Sequence, residues 1–334
     1  METRKLGSLW DVSALALGGG GLGQIWGKTS RDEAVATARE AIDLGITLLD
    51  MAPSYGKGEA ESVIGEAFEG KLPEGIHVTT KCIVGELDAN DMYEKIEKSV
   101  VRSLGSMKLE AADVFFLHSN ITPDDYQMKE ASEVQHLWCV PWSRYLDAYL
   151  PAVEKLKAKG LIKAWGITGT GLPRTIMDAL HHDEKPDVIQ AITNLMDSPG
   201  GIRRYEEPPE PRNIIRTAVN NGVGVMGIRA VQAGALTAKI DRPMDVNDPD
   251  MQDYIRAEPW RDLCKELGED PALLAHRYAL AMDGVDTVVL GVKNRQELKD
   301  VVAAAEKGPL EATIIARINA LRLNFYRPRI PMEI

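Results

Sequence analysis

The order of the local signals along this chain restricts its fold more than any other feature. Short apolar runs that close on turn residues alternate with helical stretches almost from end to end. Strand signals fall at 14–18, 46–50, 76–81, 112–117, 162–167, 187–192, 223–228 and 286–290. Helices are expected at 30–45, 58–69, 91–104, 144–159, 173–181, 210–221, 271–282 and 295–305. A short one near 258–267 reads as an insertion, and a final one at 310–323 precedes a tail containing Pro and Arg. Ser30 with Glu33 three places on is a capping box. Regular alternation of this kind predicts an α/β fold with a parallel sheet. An open doubly wound sheet is the competing arrangement. It is disfavoured because no Gly-x-Gly-x-x-Gly follows a strand with an acidic residue about 20 positions later. The expectation is a (β/α)8 barrel of the TIM type, one domain over 1–334, with an N-terminal hairpin at 4–13 and extra C-terminal helices. Two long loops, 119–143 and 230–256, interrupt the alternation.

Four ionisable residues stand at or just beyond strand ends. Ile46-Thr47-Leu48-Leu49-Asp50 closes on a carboxylate, with Tyr55 five positions later. His77-Val78-Thr79-Thr80-Lys81 ends in an amine, and Val114-Phe115-Phe116-Leu117-His118 in an imidazole. In a parallel α/β barrel the C-terminal rim is where chemistry occurs. The set also fits together chemically. A tyrosine is a poor acid at neutral pH, with a free pKa of about 10. A nearby ammonium favours the phenolate. Asp50 can hold Lys81 charged and in place, and His118 can orient a carbonyl oxygen. A tyrosine so placed can give a proton to an oxyanion formed as hydride reaches carbon. Taken singly, each residue has an ordinary structural role: a cap, a loop aromatic, a snorkelling lysine, a satisfied histidine.

Composition narrows the setting. The chain has 334 residues, 44% of them hydrophobic, and a net charge of −11. That balance opposes nonspecific binding to nucleic acid or anionic membranes. No apolar run approaches the roughly 20 residues a membrane span needs, and the N-terminus lacks a signal-peptide core. The three cysteines, Cys82, Cys139 and Cys264, have no metal-ligand spacing, and a reduced cytoplasmic setting is expected. No metal site is expected.

The block Leu48-Leu49-Asp50-Met51-Ala52-Pro53-Ser54-Tyr55-Gly56, followed by Glu59-Ala60-Glu61-Ser62-Val63-Ile64-Gly65, with Thr80-Lys81 and Leu117-His118, resembles the aldo-keto reductase superfamily. The resemblance covers about residues 4–305. It implies a (β/α)8 barrel that binds a nicotinamide dinucleotide without a Rossmann domain. Tyr55 would be the general acid in reduction and the base in oxidation. Lys81 and Asp50 would tune it, and His118 would position the substrate oxygen.

The cofactor motifs match less completely. Trp165-Gly166-Ile167-Thr168-Gly169 stands where the family often has Gly-x-Ser-Asn, so Thr168 keeps a hydroxyl and Gly169 lacks the amide. Gln190 falls at a carboxamide-contact position, with Asn194 nearby. Ile228 stands where many members stack an aromatic on the nicotinamide, and Arg229 where Ser-Pro-Leu is common. Arg229 either meets an anionic group or joins a structural ion pair. Gly20, within Gly18-Gly19-Gly20-Gly21-Leu22-Gly23, reads as part of a flexible loop that admits the ligand, or as a connector. Gly291, Lys293, Asn294 and Glu297 resemble the adenosine-end segment, with Asp300 a later acidic position. Lys293 suits a 2′-phosphate, so NADP(H) is expected ahead of NAD(H).

Substrate choice belongs to the rim loops. Trp26, Trp138 and Trp142 stand there, with His136, Cys139 and Tyr205. They either stack on a sugar face or aldehyde ring, or pin the loops to the barrel. The expected partner is a small carbonyl compound or sugar, and a homo-oligomer is compatible with the sequence. Two further readings stay open: an NAD-linked aldose 1-dehydrogenase, and a regulatory subunit that keeps the barrel and a nicotinamide as a sensor. A metal-dependent hydrolase would need ligand clusters that the six histidines do not form.

Overall fold

The computed structural model describes residues 1–128 and 132–325. An antiparallel hairpin, β1 (Thr3–Lys5) and β2 (Asp11–Ser13), comes first. The barrel strands β3 (Leu15–Gly18), β4 (Leu48–Asp50), β5 (His77–Cys82) and β6 (Ala112–Leu117) follow. Two short strands, β7 (Asn120–Thr122) and β8 (Cys139–Pro141), pair as a separate parallel ribbon. The barrel resumes with β9 (Ile162–Gly169), β10 (Val188–Ile192), β11 (Gly224–Ile228) and β12 (Thr287–Leu290). The eight close in the order β3-β4-β5-β6-β9-β10-β11-β12, all neighbours parallel. Every expected barrel strand forms, within two residues of its expected bounds.

Alternation along the strands sorts side chains into two layers. Ala16, Leu48, Val114, Phe116, Ala164, Val188 and Met226 fill the barrel with Leu6 and Val12 of the hairpin. Each fully buried side chain the size of Phe116 contributes about 1.5–3 kcal/mol through lost apolar surface. Residues of opposite parity, such as Leu15, Leu49, Phe115 and Ile167, meet the surrounding helices. The hairpin therefore plugs the N-terminal end, where Trp10 stacks on His77 at 4.4 Å. The C-terminal rim is left for polar groups.

Several local expectations need correction. The glycine-rich segment is not a flexible loop: Gly19–Leu22 forms a helical turn with all four residues buried. Side chains there would collide with backbone, since a Cβ on Gly21 would lie 1.8 Å from the Val292 carbonyl oxygen. The capping box is half made: Ser30 Oγ accepts the Glu33 amide at 3.1 Å, while the Glu33 carboxylate turns to Arg295. The 230–256 loop contains a helix, Pro249–Arg256, capped by Asp248. Asp248 followed by Pro249 is an N-cap and N1 signal that points to it in the sequence. The helix expected at 144–159 begins at Trp142 and passes through a π turn, Tyr145–Tyr149, before ending at Ala158. The Pro- and Arg-containing tail from residue 326 lies outside the described residues.

Candidate active site

The rim end of β4 and β5 places Asp50 and Lys81 in one buried layer. They are 2% and 0% exposed, and Lys81 Nζ donates to Asp50 Oδ1 at 2.8 Å. The same ammonium donates to the Met51 carbonyl at 2.8 Å. Asp50 Oδ1 also accepts from Thr79 Oγ1 at 2.7 Å and Gln190 Nε2 at 2.7 Å. A buried ion pair is tolerable only when its remaining hydrogen-bonding capacity is met, and here the Met51 carbonyl, Thr79 and Gln190 meet it.

Tyr55 reaches this layer by a turn made for the purpose. Gly56, Lys57 and Gly58 take left-handed conformations in succession, with φ of 64°, 57° and 95°. Glycine adopts such angles freely, whereas a side-chain-bearing residue such as Lys57 does so at a cost of about 1–2 kcal/mol. The turn folds the phenol back over Lys81, whose Nζ lies 4.8 Å from the ring centroid. Gly19 and Gly23 make room: a Cβ on Gly19 would come within 3.0 Å of the Tyr55 ring, and one on Gly23 within 2.6 Å of the Tyr55 backbone. The His118 ring stands edge-on to the Tyr55 ring at 6.1 Å.

Electrostatics assigns protonation states. Burial pulls the Lys81 pKa down, but the Asp50 carboxylate and Tyr55 outweigh it, so the ammonium sits above the usual lysine value. Burial pushes the Tyr55 phenol up, Lys81 pulls it down and Asp50 pushes it up; the balance lies above the ordinary value. The downward pull expected from Lys81 is present but smaller than the effect of burial. Burial, helped by the Lys81 charge, drops His118 to about 3. At neutral pH the layer therefore holds a protonated phenol, a neutral imidazole and a charged amine. That set can donate two neutral hydrogen bonds to a carbonyl oxygen and supply a proton as charge develops there.

The other expected residues fall into separate places. Gln190 turns its amide to Asp50. Thr168 Oγ1 donates to the Leu117 carbonyl at 3.0 Å. Gly169 packs so tightly that a Cβ would lie 2.8 Å from Ile189 Cδ1, which explains the missing amide side chain. Ile228 ends β11 partly exposed. Arg229, at φ 60°, sends its guanidinium into a buried pair with Asp250 and to Gln232 Oε1 at 2.8 Å. Asn194 bridges its own loop to the one after β11, donating to the Ser198 and Arg229 carbonyls. Asn294 caps helix Arg295–Glu306 by accepting the Glu297 amide at 2.9 Å. The amides of Lys293 and Arg295 go to Glu297 and Glu33. A phosphate at this helix start would meet the Lys293 ammonium rather than those amides, and that ammonium already contacts Asp241 and Glu297.

Of the three tryptophans, Trp26 lies on the glycines. A Cβ on Gly20 would meet its Nε1 at 2.6 Å, and one on Gly291 would meet it at 3.3 Å. Trp138 carries the Arg204 guanidinium at 4.9 Å and joins loops 119–143 and 195–208. Trp142 stacks on Tyr145 at 5.4 Å and meets His182 edge-on, facing the helical layer. Sequence reasoning missed Thr79 and the cross-barrel role of Gln190. Thr79 precedes Lys81 by two, so strand alternation puts both on one face; for Gln190 no local signal exists.

A closed parallel barrel whose rim gathers a buried lysine, a phenol and a neutral imidazole defines a carbonyl oxidoreductase class. The sequence model of the aldo/keto reductase family matches residues 14–323, and the chain belongs to that family of nicotinamide-dependent oxidoreductases. L-galactose dehydrogenase of Arabidopsis thaliana is 26% identical over 91% of this chain and 88% of its own. The NADH-specific methylglyoxal reductase of Escherichia coli (strain K12) is 24% identical, over 89% of each chain. The holo form of an aldo-keto reductase from Bacillus halodurans shares the fold, with a TM-score of 0.70, 23% identity and 96% coverage of each chain. Gly20 and Gly291 both pack under the Trp26 ring, and Lys293 stands just before the helix that Asn294 caps, small residues and a cation of the kind a dinucleotide site uses. No described helix is long and apolar enough to cross a membrane.

Proposed function

We propose that the protein interconverts an aldehyde or ketone, either an aldose or a small aldehyde, with its alcohol, using NADP(H). The observation that carries this is Lys81 Nζ held 2.8 Å from Asp50 and 4.8 Å from the Tyr55 ring. Tyr55 gives its proton to the substrate oxygen in reduction and recovers it in oxidation. His118, neutral at working pH, donates to the same oxygen. Asp50 fixes Lys81, and Lys81 stabilises the phenolate that remains. The bound nicotinamide supplies or accepts the hydride. Gly20, Thr168, Gly169, Gln190, Ile228 and Arg229 border its nicotinamide and pyrophosphate part, and Gly291, Lys293, Asn294 and Glu297 its adenosine part. Trp26 and Trp138 contribute the aromatic walls of the entrance, and Trp142 buttresses the loop behind them. The reaction belongs in the cytoplasm, and a homo-oligomer accords with it.

A second reading is NAD-linked oxidation of an aldose at its anomeric carbon. It is favoured by the likeness to L-galactose dehydrogenase and by the two carboxylates already at Lys293. One assay separates the two readings: steady turnover of an aldehyde and aldose panel with each dinucleotide in both directions. Reduction of aldehydes with NADPH supports the first, and oxidation of aldoses with NAD alone supports the second. Tight dinucleotide binding without turnover of any panel member would reject both.

A further inference from the structure

Glu61 is 1% exposed, lies on helix Glu59–Phe68, and forms no ion pair among the described residues. Its Oε1 accepts from Thr80 Oγ1 at 2.7 Å, the one hydrogen bond its side chain makes among the described residues; the Ser103 hydroxyl of helix Ala89–Met107 is buried without a hydrogen-bond partner. The charged groups nearest to it are Lys81 on β5 and Arg102 on helix Ala89–Met107. A carboxyl buried among hydroxyls with no cation in contact is costly for a scaffold that needs only packing.

Its position gives the reason. Glu61 sits two residues inside the helix that begins directly after the left-handed turn carrying Tyr55. Thr80 immediately precedes Lys81 on β5, pointing outward where Lys81 points inward. The Glu61–Thr80 bond therefore closes a ring of contacts. It runs from Tyr55 through its turn to Glu61, across to Thr80, and by one peptide to the ammonium beneath the phenol. Ser62 Oγ also holds the turn, donating to the Gly58 carbonyl at 3.0 Å, but no side chain of the turn itself reaches β5: Gly56 and Gly58 have none and Lys57 is exposed.

We propose that Glu61 is a positioning residue for the Tyr55–Lys81 pair, tying the Tyr55-bearing segment to the Lys81-bearing strand from outside the barrel. This rests on the reading of Tyr55 as the proton-transfer group. Loosening the tie lets phenol and ammonium drift apart, so Lys81 stabilises the phenolate less and the proton leaves at higher pH.

The test compares Thr80→Val, Thr80→Ser, Glu61→Gln and Glu61→Ala by single-turnover hydride transfer, substrate KM, and the pH dependence of oxidation. Thr80→Ser and Glu61→Gln keep a donor and an acceptor, so both should stay within about threefold of wild type. Thr80→Val and Glu61→Ala should slow single turnover about tenfold or more, the lower part of the range for impaired proton transfer. They should leave KM within about threefold and move the alkaline limb of oxidation up by about half a pH unit or more. If Glu61→Ala does not fold, Thr80→Val carries the test alone. Native rate and profile in Thr80→Val, or loss of thermal stability with chemistry intact, overturns the proposal. So does a loss in Glu61→Gln equal to that in Glu61→Ala, because charge rather than the tie would then be at work. Tyrosinate absorbance, taken as a difference against Tyr55→Phe, reads the phenol pKa without turnover. An upward shift in Thr80→Val in a wild type that turns nothing over would sink the proton-transfer reading and leave the tie standing; no shift would sink the tie.

Discussion

Nε2 of Gln190 donates to Oδ1 of Asp50 at 2.7 Å, between residues 140 positions apart. Their strands, β10 and β4, stand four places apart in a ring of eight, on opposite sides of the barrel. One side chain thus spans the barrel axis in the layer of Asp50 and Lys81. Gln190→Leu should remove that donor while keeping volume. Loss of a hydrogen bond to a buried carboxylate costs about 1–3 kcal/mol. The expected result is a lower denaturation midpoint with an unchanged slope, measured by urea unfolding. A midpoint equal to wild type would show that the bond contributes nothing net.

Tyr55→Phe deletes the phenol oxygen and little volume. Removing a general acid costs about 10² to 10⁴ in rate. Turnover should fall by that factor while dinucleotide affinity, followed by fluorescence titration, stays the same. Near-native turnover would place the proton donor elsewhere.

Lys81→Met leaves the Asp50 carboxylate buried without its cation. Breaking one side of a buried pair costs about 3–5 kcal/mol, so this variant should be strongly destabilised as well as slow. Its residual oxidation should have an alkaline limb at higher pH, because the ammonium no longer favours the phenolate. Asp50→Asn with Lys81→Met should recover part of the stability but none of the rate. If both variants unfold at the same denaturant concentration, the pair is not coupled.

His118 gives a pH signature with a definite sign. Its folded pKa is depressed to about 3, while an unfolded histidine titrates near 6.5. Between those values the unfolded chain binds the extra proton, so stability falls as pH drops through the window and is fully present above about 6.5. The buried His276, also depressed by burial, acts in the same direction. His118→Gln should lose less stability than wild type between about pH 7.5 and pH 5, measured by chemical denaturation at each pH. Equal losses would mean that His118 is protonated in the folded protein.

Lys293 contacts Asp241 and Glu297, so a 2′-phosphate has to share that cation. A charge-assisted bond is worth about 1.5 to 3 kcal/mol, or roughly 10- to 150-fold in affinity. Lys293→Ala should weaken NADPH by that much and NADH little. Asp241→Asn should tighten NADPH relative to NADH, because it releases the ammonium. Titration of both dinucleotides into each variant decides the matter; equal losses for the two in Lys293→Ala would remove the phosphate-binding role.

The sequence by itself determined the barrel and the set of ionisable residues that meet at its rim. Strand and helix periodicity is local information, and eight strands with helical crossovers can close in few ways. Asp50, Lys81 and His118 were legible because each ends a strand, and a parallel barrel delivers all such ends to one rim. Only the tertiary structure decided which groups share atoms. That Gln190 serves Asp50, that Glu61 holds Thr80 and that Asp250 takes Arg229 depends on register and helix placement, and nothing local encodes these. The same holds for the glycine segment: its composition reads as a loop, but close approach to Val292 and Tyr55 makes it a buried turn. The protonation states follow the same division. Residue type sets a starting pKa, and burial, known only once the chain is packed, moved Tyr55 up and His118 down.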